Sequence, residues 1–176
     1  YSTEQRYLDD GKATGFIKPY KSGCSFVALL PNGDISLSDY VASMTGKSFI
    51  DTIKSAKDVP VGTAIPKFSY DYDIEMSGAL KALGMTLPFD AAKADFSALG
   101  SSDSGNIFIS RVLHKAYIAV DGKGTKAGAA TAVETVYTAL EEGVYKVTLD
   151  RPFVYAIIDD ATGLPVFIGT VTDIGK

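Results

Sequence analysis

A single cysteine, Cys24, stands among 176 residues, so no disulfide can close within the chain. This fits a reducing compartment without excluding secretion, because a chain of this length can bury enough apolar surface to need no covalent staple. Histidine is equally scarce: His114 is the only one. Acid–base chemistry near neutral pH would rest on that imidazole or on a carboxylate with a displaced pKa. Positive charge is never concentrated; no Lys/Arg cluster exceeds two residues and the net charge is −4. A nucleic-acid footprint is thereby excluded. The apolar runs fall far short of the roughly 20 residues that a membrane-spanning helix needs, so no membrane partner is expected either. Tyr1 is preceded by no methionine or charged-then-apolar leader, which reads as a processed product or a piece of something longer.

What is present is the composition of a folded globular chain, 46% hydrophobic and 22% charged. The first segment carries the turn signal Asp10-Gly11 and a second bend at Gly15, and reads as a hairpin ending at Pro19-Tyr20. Ser25 to Leu30 is continuously apolar between Gly23 and Pro31-Asn32-Gly33, as in a strand covered on both faces. Behind a capping Ser36, Leu37, Tyr40, Val41 and Met44 keep helical spacing; Gly46 interrupts, then Phe49, Ile50 and Ile53 resume. Two short helices are expected. Residues 63 to 73 alternate, with Phe68, Tyr70 and Tyr72 on one face and Pro66 marking an edge or bulge, which predicts one half-exposed strand. Met76, Leu80 and Leu83 predict a further helix ended by Gly84. After Phe96, Ile107 to Val120 reads as one long strand, and three more strands close the chain. The sum is about eight strands and three or four helices, an α+β arrangement.

Few residues invite chemistry. His114 lies between Leu113 and Lys115 inside the long strand and reads as a hydrogen-bonded structural histidine; a hydrolase built on it is the alternative. Cys24 reads as a small core residue. Asp71, Asp73 and Glu75 alternate as cation ligands might, but no glycine turn or further oxygen ligands follow, and a solvated, charge-guarded edge explains them. Gly122 to Thr125 lacks the spacing of a phosphate loop, which needs Gly-Lys followed directly by Ser or Thr. No catalytic residue, metal or cofactor is expected.

The most telling stretch is 120 to 138, VDGKGTKAGAATAVETVYT. Gly124, Thr125 and Lys126 lead into four small residues, Ala127, Gly128, Ala129 and Ala130, followed by Thr131. Small residues lose much backbone entropy on ordering and bury little, so a connector of this kind tends to stay mobile. They also meet no steric barrier on entering a narrow gap, and Thr131, Val133, Thr135, Val136 and Tyr137 supply strand propensity behind them. The segment reads as a loop able to become a strand. Its length favours a functional loop over a mere connector.

The order VLHKAYIAVDGKGTKAGAATAV, then RPFVYAIIDDATGLPVFIGTV, resembles the serpins, a family of serine protease inhibitors. Upstream, FIKPYKSGCSFVALLPN, AIPKF, ALKALGM and KADFSAL match the family's paired strands, Leu-Pro-Lys-Phe-like strand, helix and following segment, in order. The resemblance implies a serpin-like α+β domain fragment over residues 1–176, with mostly antiparallel or mixed sheets, a few short helices and a reactive-centre loop at about 122–146. It implies an inhibitor, not an enzyme, whose partner is a serine or possibly a cysteine protease. The protease would attack the loop, form an acyl-enzyme and be trapped as the cleaved loop inserts from Gly124-Thr125 as a strand of the central sheet. The candidate scissile region spans Tyr137, Thr138, Ala139, Leu140, Glu141 and Glu142: counting from the hinge gives Thr138-Ala139, counting back from Arg151-Pro152 gives Glu141-Glu142. His114, Lys67, Arg151, Pro152 and Phe153 take structural roles.

Two departures accompany the match. Gly122 stands where inhibitory members usually carry Glu, removing an ion pair with a residue such as Lys67; an exposed pair of that kind is worth only ~0.2–1 kcal/mol. A whole serpin is also about twice this length, so the chain reads as a C-terminal half lacking the N-terminal helical half, and inactive alone. The absent half, or self-association through unpaired strand edges, would be its further partner, the latter giving a non-inhibitory interaction module. An extracellular or cell-surface protein of bacterial source is expected.

Overall fold

The computed structural model describes residues 1–121, 124–125 and 145–174. It divides into two compact units, residues 1–68 with 119–176, and residues 69–118.

The first unit is built on a hairpin, β1 (Ser2–Asp9) and β2 (Ala13–Pro19). Asp10 fixes its turn: Oδ1 accepts the N–H groups of Lys12 at 2.9 Å and Ala13 at 2.7 Å, while Gly11 takes φ +82°. Beside β2 runs β3 (Cys24–Pro31), buried from Ser25 to Pro31, as its unbroken apolar sequence demands. β9 (Phe153–Asp159) and β10 (Pro165–Val171) extend the sheet on that side, and β4 (Lys57–Ala64) and β8 (Tyr145–Thr148) on the other. The strand order is β10-β9-β3-β2-β1-β4-β8. Every pairing is antiparallel except that of β8 with β4, which is parallel.

One face of this sheet carries two helices, α1 (Leu37–Ser43) and α2 (Gly46–Lys54). Ser36 caps α1 by accepting the Asp39 N–H, and Thr45 forms a capping box with Ser48 at the start of α2. Tyr40, Phe49 and Ile53 thereby point down onto Leu8, Ile17, Val27, Leu29, Val154, Ala156 and Ile158. The opposite face is aromatic: Tyr155 stacks on Phe26 and Phe167 with centroids 6.4 and 6.2 Å away, and meets Phe68 at 5.6 Å.

The second unit holds most of β5 (Phe68–Glu75) and β6 (Leu113–Asp121), with α3 (Ser77–Ala82) and a 3₁₀ turn (Leu87–Phe89) between them. Lys115 bridges β6 to Asp73 of β5 at 2.7 Å. Glu75 Oε1 accepts the backbone N–H and the hydroxyl of Ser77, which holds its carboxyl below the usual carboxylate range and settles the start of α3.

Four expectations need correction. Gly15 lies inside β2 and makes no bend; a Cβ there would sit 2.1 Å from the Ala28 carbonyl oxygen, so glycine serves the close approach of β3. The single strand expected over 63 to 73 is two, β4 and β5, separated around Pro66. β4 contains Pro60, which the ladder tolerates because the register shifts there, two residues, Val59 and Pro60, facing one on β1. The long strand expected from Ile107 begins only at Leu113. Upstream backbone groups are committed elsewhere: Ile109 N–H donates to the Pro88 carbonyl at 2.9 Å, and the Val112 carbonyl accepts from Met76 N–H at 2.8 Å. His114, expected to be hydrogen-bonded, lies exposed on β6 with no hydrogen bond to its ring among the described residues.

Candidate functional site

The small-residue segment is fixed at both flanks. On the upstream side β7 (Gly124–Thr125) pairs antiparallel with the end of β6, Thr125 opposite Val120 and Gly124 opposite Asp121. Val120 is buried and Asp121 exposed, so the two faces of this short ladder differ in character. Direction reverses between β6 and β7, so Gly124 and Thr125 run back along the end of β6.

Downstream, β8 is held by three devices. Its four residues pair with Val61 to Ala64, and Leu149 N–H continues the ladder to the Ala64 carbonyl at 2.9 Å. Val147 and Leu149 are buried. Tyr145 stacks on Tyr7 with centroids 4.1 Å apart and planes inclined by 25°, while Lys57 Nζ lies 5.8 and 6.0 Å from the two rings. Burial, then the charge of Asp9, then Tyr145 raise the Tyr7 hydroxyl above its ordinary pKa.

Arg151 then ties the turn into β9: Nη2 donates to the Pro31 carbonyl at 2.8 Å and Nη1 lies 3.1 Å from Asp150 Oδ1. Pro152 is exposed, whereas Phe153 is buried and meets Phe68 edge-on at 5.9 Å. Lys67 is exposed between β4 and β5. The remaining hinge residues, Lys126 to Thr131, and the candidate scissile residues, Tyr137 to Glu142, lie outside the described residues.

Tyr7, Lys57 and Tyr145 were not legible as a group. They come from three strands whose adjacency follows from sheet order, which no local sequence signal carries. Among the described residues no three metal-ligating side chains come together.

The family model described as Serpin (serine protease inhibitor) matches residues 3–174. The chain belongs to the serpin family. It is 34% identical to Serpin-Z4 of barley, Hordeum vulgare, over 98% of this chain and 45% of that protein. It superposes on the native state of tengpin, a thermophilic serpin, with a TM-score of 0.83 and 50% identity, covering 98% of this chain and 45% of the other. A structure described as a loop C-sheet serpin polymer gives a TM-score of 0.70 at 44% identity, covering 97% of this chain and 44% of that one. The chain therefore spans about half the length of the relatives it matches. Those curated relatives are plant proteins of barley, wheat, rice and Arabidopsis thaliana, and lend the expected bacterial source no support.

Proposed function

We propose that this chain is the loop-bearing part of a serpin-type inhibitor of serine, or by extension cysteine, endopeptidases, acting extracellularly or at a cell surface. The reactive-centre loop, about residues 122–146, is offered to the protease as substrate, and after cleavage its upstream part enters the sheet as a strand beginning at Gly124-Thr125. The antiparallel start of β7 on β6 is the observation that carries this reading. Side chains alternate between faces, so residues in step with Thr125 share the face of Val120. Those are Ala127, Ala129, Thr131, Val133, Thr135 and Tyr137, a set without charge. Lys126 and Glu134 fall on the other set, in step with Gly124 and the exposed Asp121. A segment patterned this way can add to a half-buried sheet without burying a charge.

The test is limited proteolysis with chymotrypsin-, elastase- and subtilisin-like enzymes, read by intact mass. The first cut is expected between Tyr137 and Glu142, after Tyr137, Thr138 or Leu140 for these enzymes, whereas a cut after Glu141 would require an acid-directed protease. A first cut elsewhere in the chain sinks the assignment. On a denaturing gel this chain alone is expected to behave as a substrate; an SDS-stable complex would overturn the expectation that it cannot trap unaided.

A second reading, self-association, is favoured by two edge strands and by the polymer structure among its relatives. Among the described residues β8 and β10 close the sheet at either end, and Val166 and Ile168 stand exposed on β10. Light scattering that finds a strict monomer over a wide concentration range removes it.

A further inference from the structure

A cavity of about 140 Å³ lies within the first unit, between the β1–β2 turn and the two helices, lined by Asp10, Lys12, Tyr40, Ser43, Met44, Ser48, Phe49 and Thr52. Its polar wall has a definite sense. Thr52 Oγ1 donates to the Ser48 carbonyl, Ser43 Oγ to the Tyr40 carbonyl and Ser48 Oγ to the Thr45 carbonyl. A carbonyl only accepts, so all three hydroxyl protons are committed to the helix backbone. Tyr40 likewise gives its proton to Asp10 Oδ2, at 2.7 Å. What these groups leave toward the cavity are oxygen lone pairs, beside the negative charge of Asp10. Ser48 Oγ already accepts from Thr45 N–H and Thr45 Oγ1, so the open acceptors are the oxygens of Ser43, Thr52, Tyr40 and Asp10. The remaining wall is the thioether of Met44 and the ring of Phe49, which suit a compact apolar body or the face of a cation.

We propose that this cavity binds a small primary ammonium carrying a compact apolar group. The ammonium donates to Asp10 Oδ2 and to the Thr52 and Ser43 oxygens, and the apolar part lies on Met44 and Phe49. A dry cavity of about 150 Å³ accepts a benzene ring, so the occupant has on the order of six to eight heavy atoms. Lys12 is exposed, makes no ion pair with Asp10, and adds a like charge at the rim. It therefore opposes the occupant. The cavity's lining residues, Asp10 to Thr52, are none of those assigned to the reactive segment.

Benzylamine is the probe, with benzyl alcohol and benzoate as neutral and anionic counterparts of similar size, followed by amide shifts of the full chain. Saturable shifts at Met44, Phe49 and Thr52 are expected near a Kd of about 1 mM, with the alcohol and benzoate at least several-fold weaker. Lys12→Met should tighten benzylamine by roughly threefold, and Thr52→Val should weaken it by a similar factor. Lys12 is exposed in a turn, so its replacement leaves the fold intact and keeps the test decisive even where Thr52→Val unfolds. Benzylamine binding no better than benzyl alcohol, no saturable shift at all, or a weaker rather than tighter Lys12→Met variant each overturns the proposal.

Discussion

Gly15 shows what a residue without a side chain does in a sheet. Read from sequence it is a bend, because glycine marks turns more often than close approaches. The Ala28 carbonyl makes it a spacer instead. Gly15→Ala is expected to destabilise the protein by more than about 2 kcal/mol in chemical denaturation, since backbone rather than a flexible side chain must move. Tyr40 was legible as a core residue from its helical spacing, but its partner was not, because Asp10 comes from a turn on another element. Burial, and then the hydrogen bond to and charge of Asp10, raise the Tyr40 hydroxyl far above its ordinary pKa of 10.0. Its protonated form is favoured in the fold, so this contribution is complete below that ordinary value and declines as pH rises above it. Tyr40→Phe should cost about 1–2 kcal/mol at neutral pH and flatten the alkaline fall of stability, both followed by denaturation at a series of pH values.

Among the elements, those with local signals were readable and those with non-local ones were not. The unbroken apolar run of β3 announced a strand covered on both faces, and the i, i+3, i+4 spacing behind Ser36 announced α1. β4 escaped because Pro60 argues against a strand, and only the bulge opposite β1 admits it. β6 was read too long because nothing in Ile107 to Val112 says that its backbone groups are taken by the turn at Pro88 and the start of α3. β8 was legible as a strand, but not its parallel pairing. As a four-residue edge strand it leans on the Tyr145–Tyr7 stack, and aromatic pairs of this kind contribute about 0.5–1.5 kcal/mol beyond burial. Tyr145→Ala should therefore speed hydrogen exchange at Lys146 to Thr148 while leaving β2 and β3 protected. Equal exchange in the two proteins would show that the ladder with β4 holds β8 unaided.

At the scale of the whole molecule, the α+β class and the family were legible because motif order survives where individual strand boundaries do not. The chain's division into two units was not, since neither composition nor a linker marks Phe68 or Ala119. β7 is only two residues long, yet in the proposed insertion it would act on the segment after it as a reading frame acts on a message. On that proposal its register would decide which alternate set, Ala127-Ala129-Thr131-Val133 or Lys126-Gly128-Ala130-Ala132, comes to lie with Val120. One residue added or removed next to Thr125 would leave the composition of the loop almost unchanged and exchange the two sets throughout. Lys126 and Glu134 would then be the residues asked to enter the buried face.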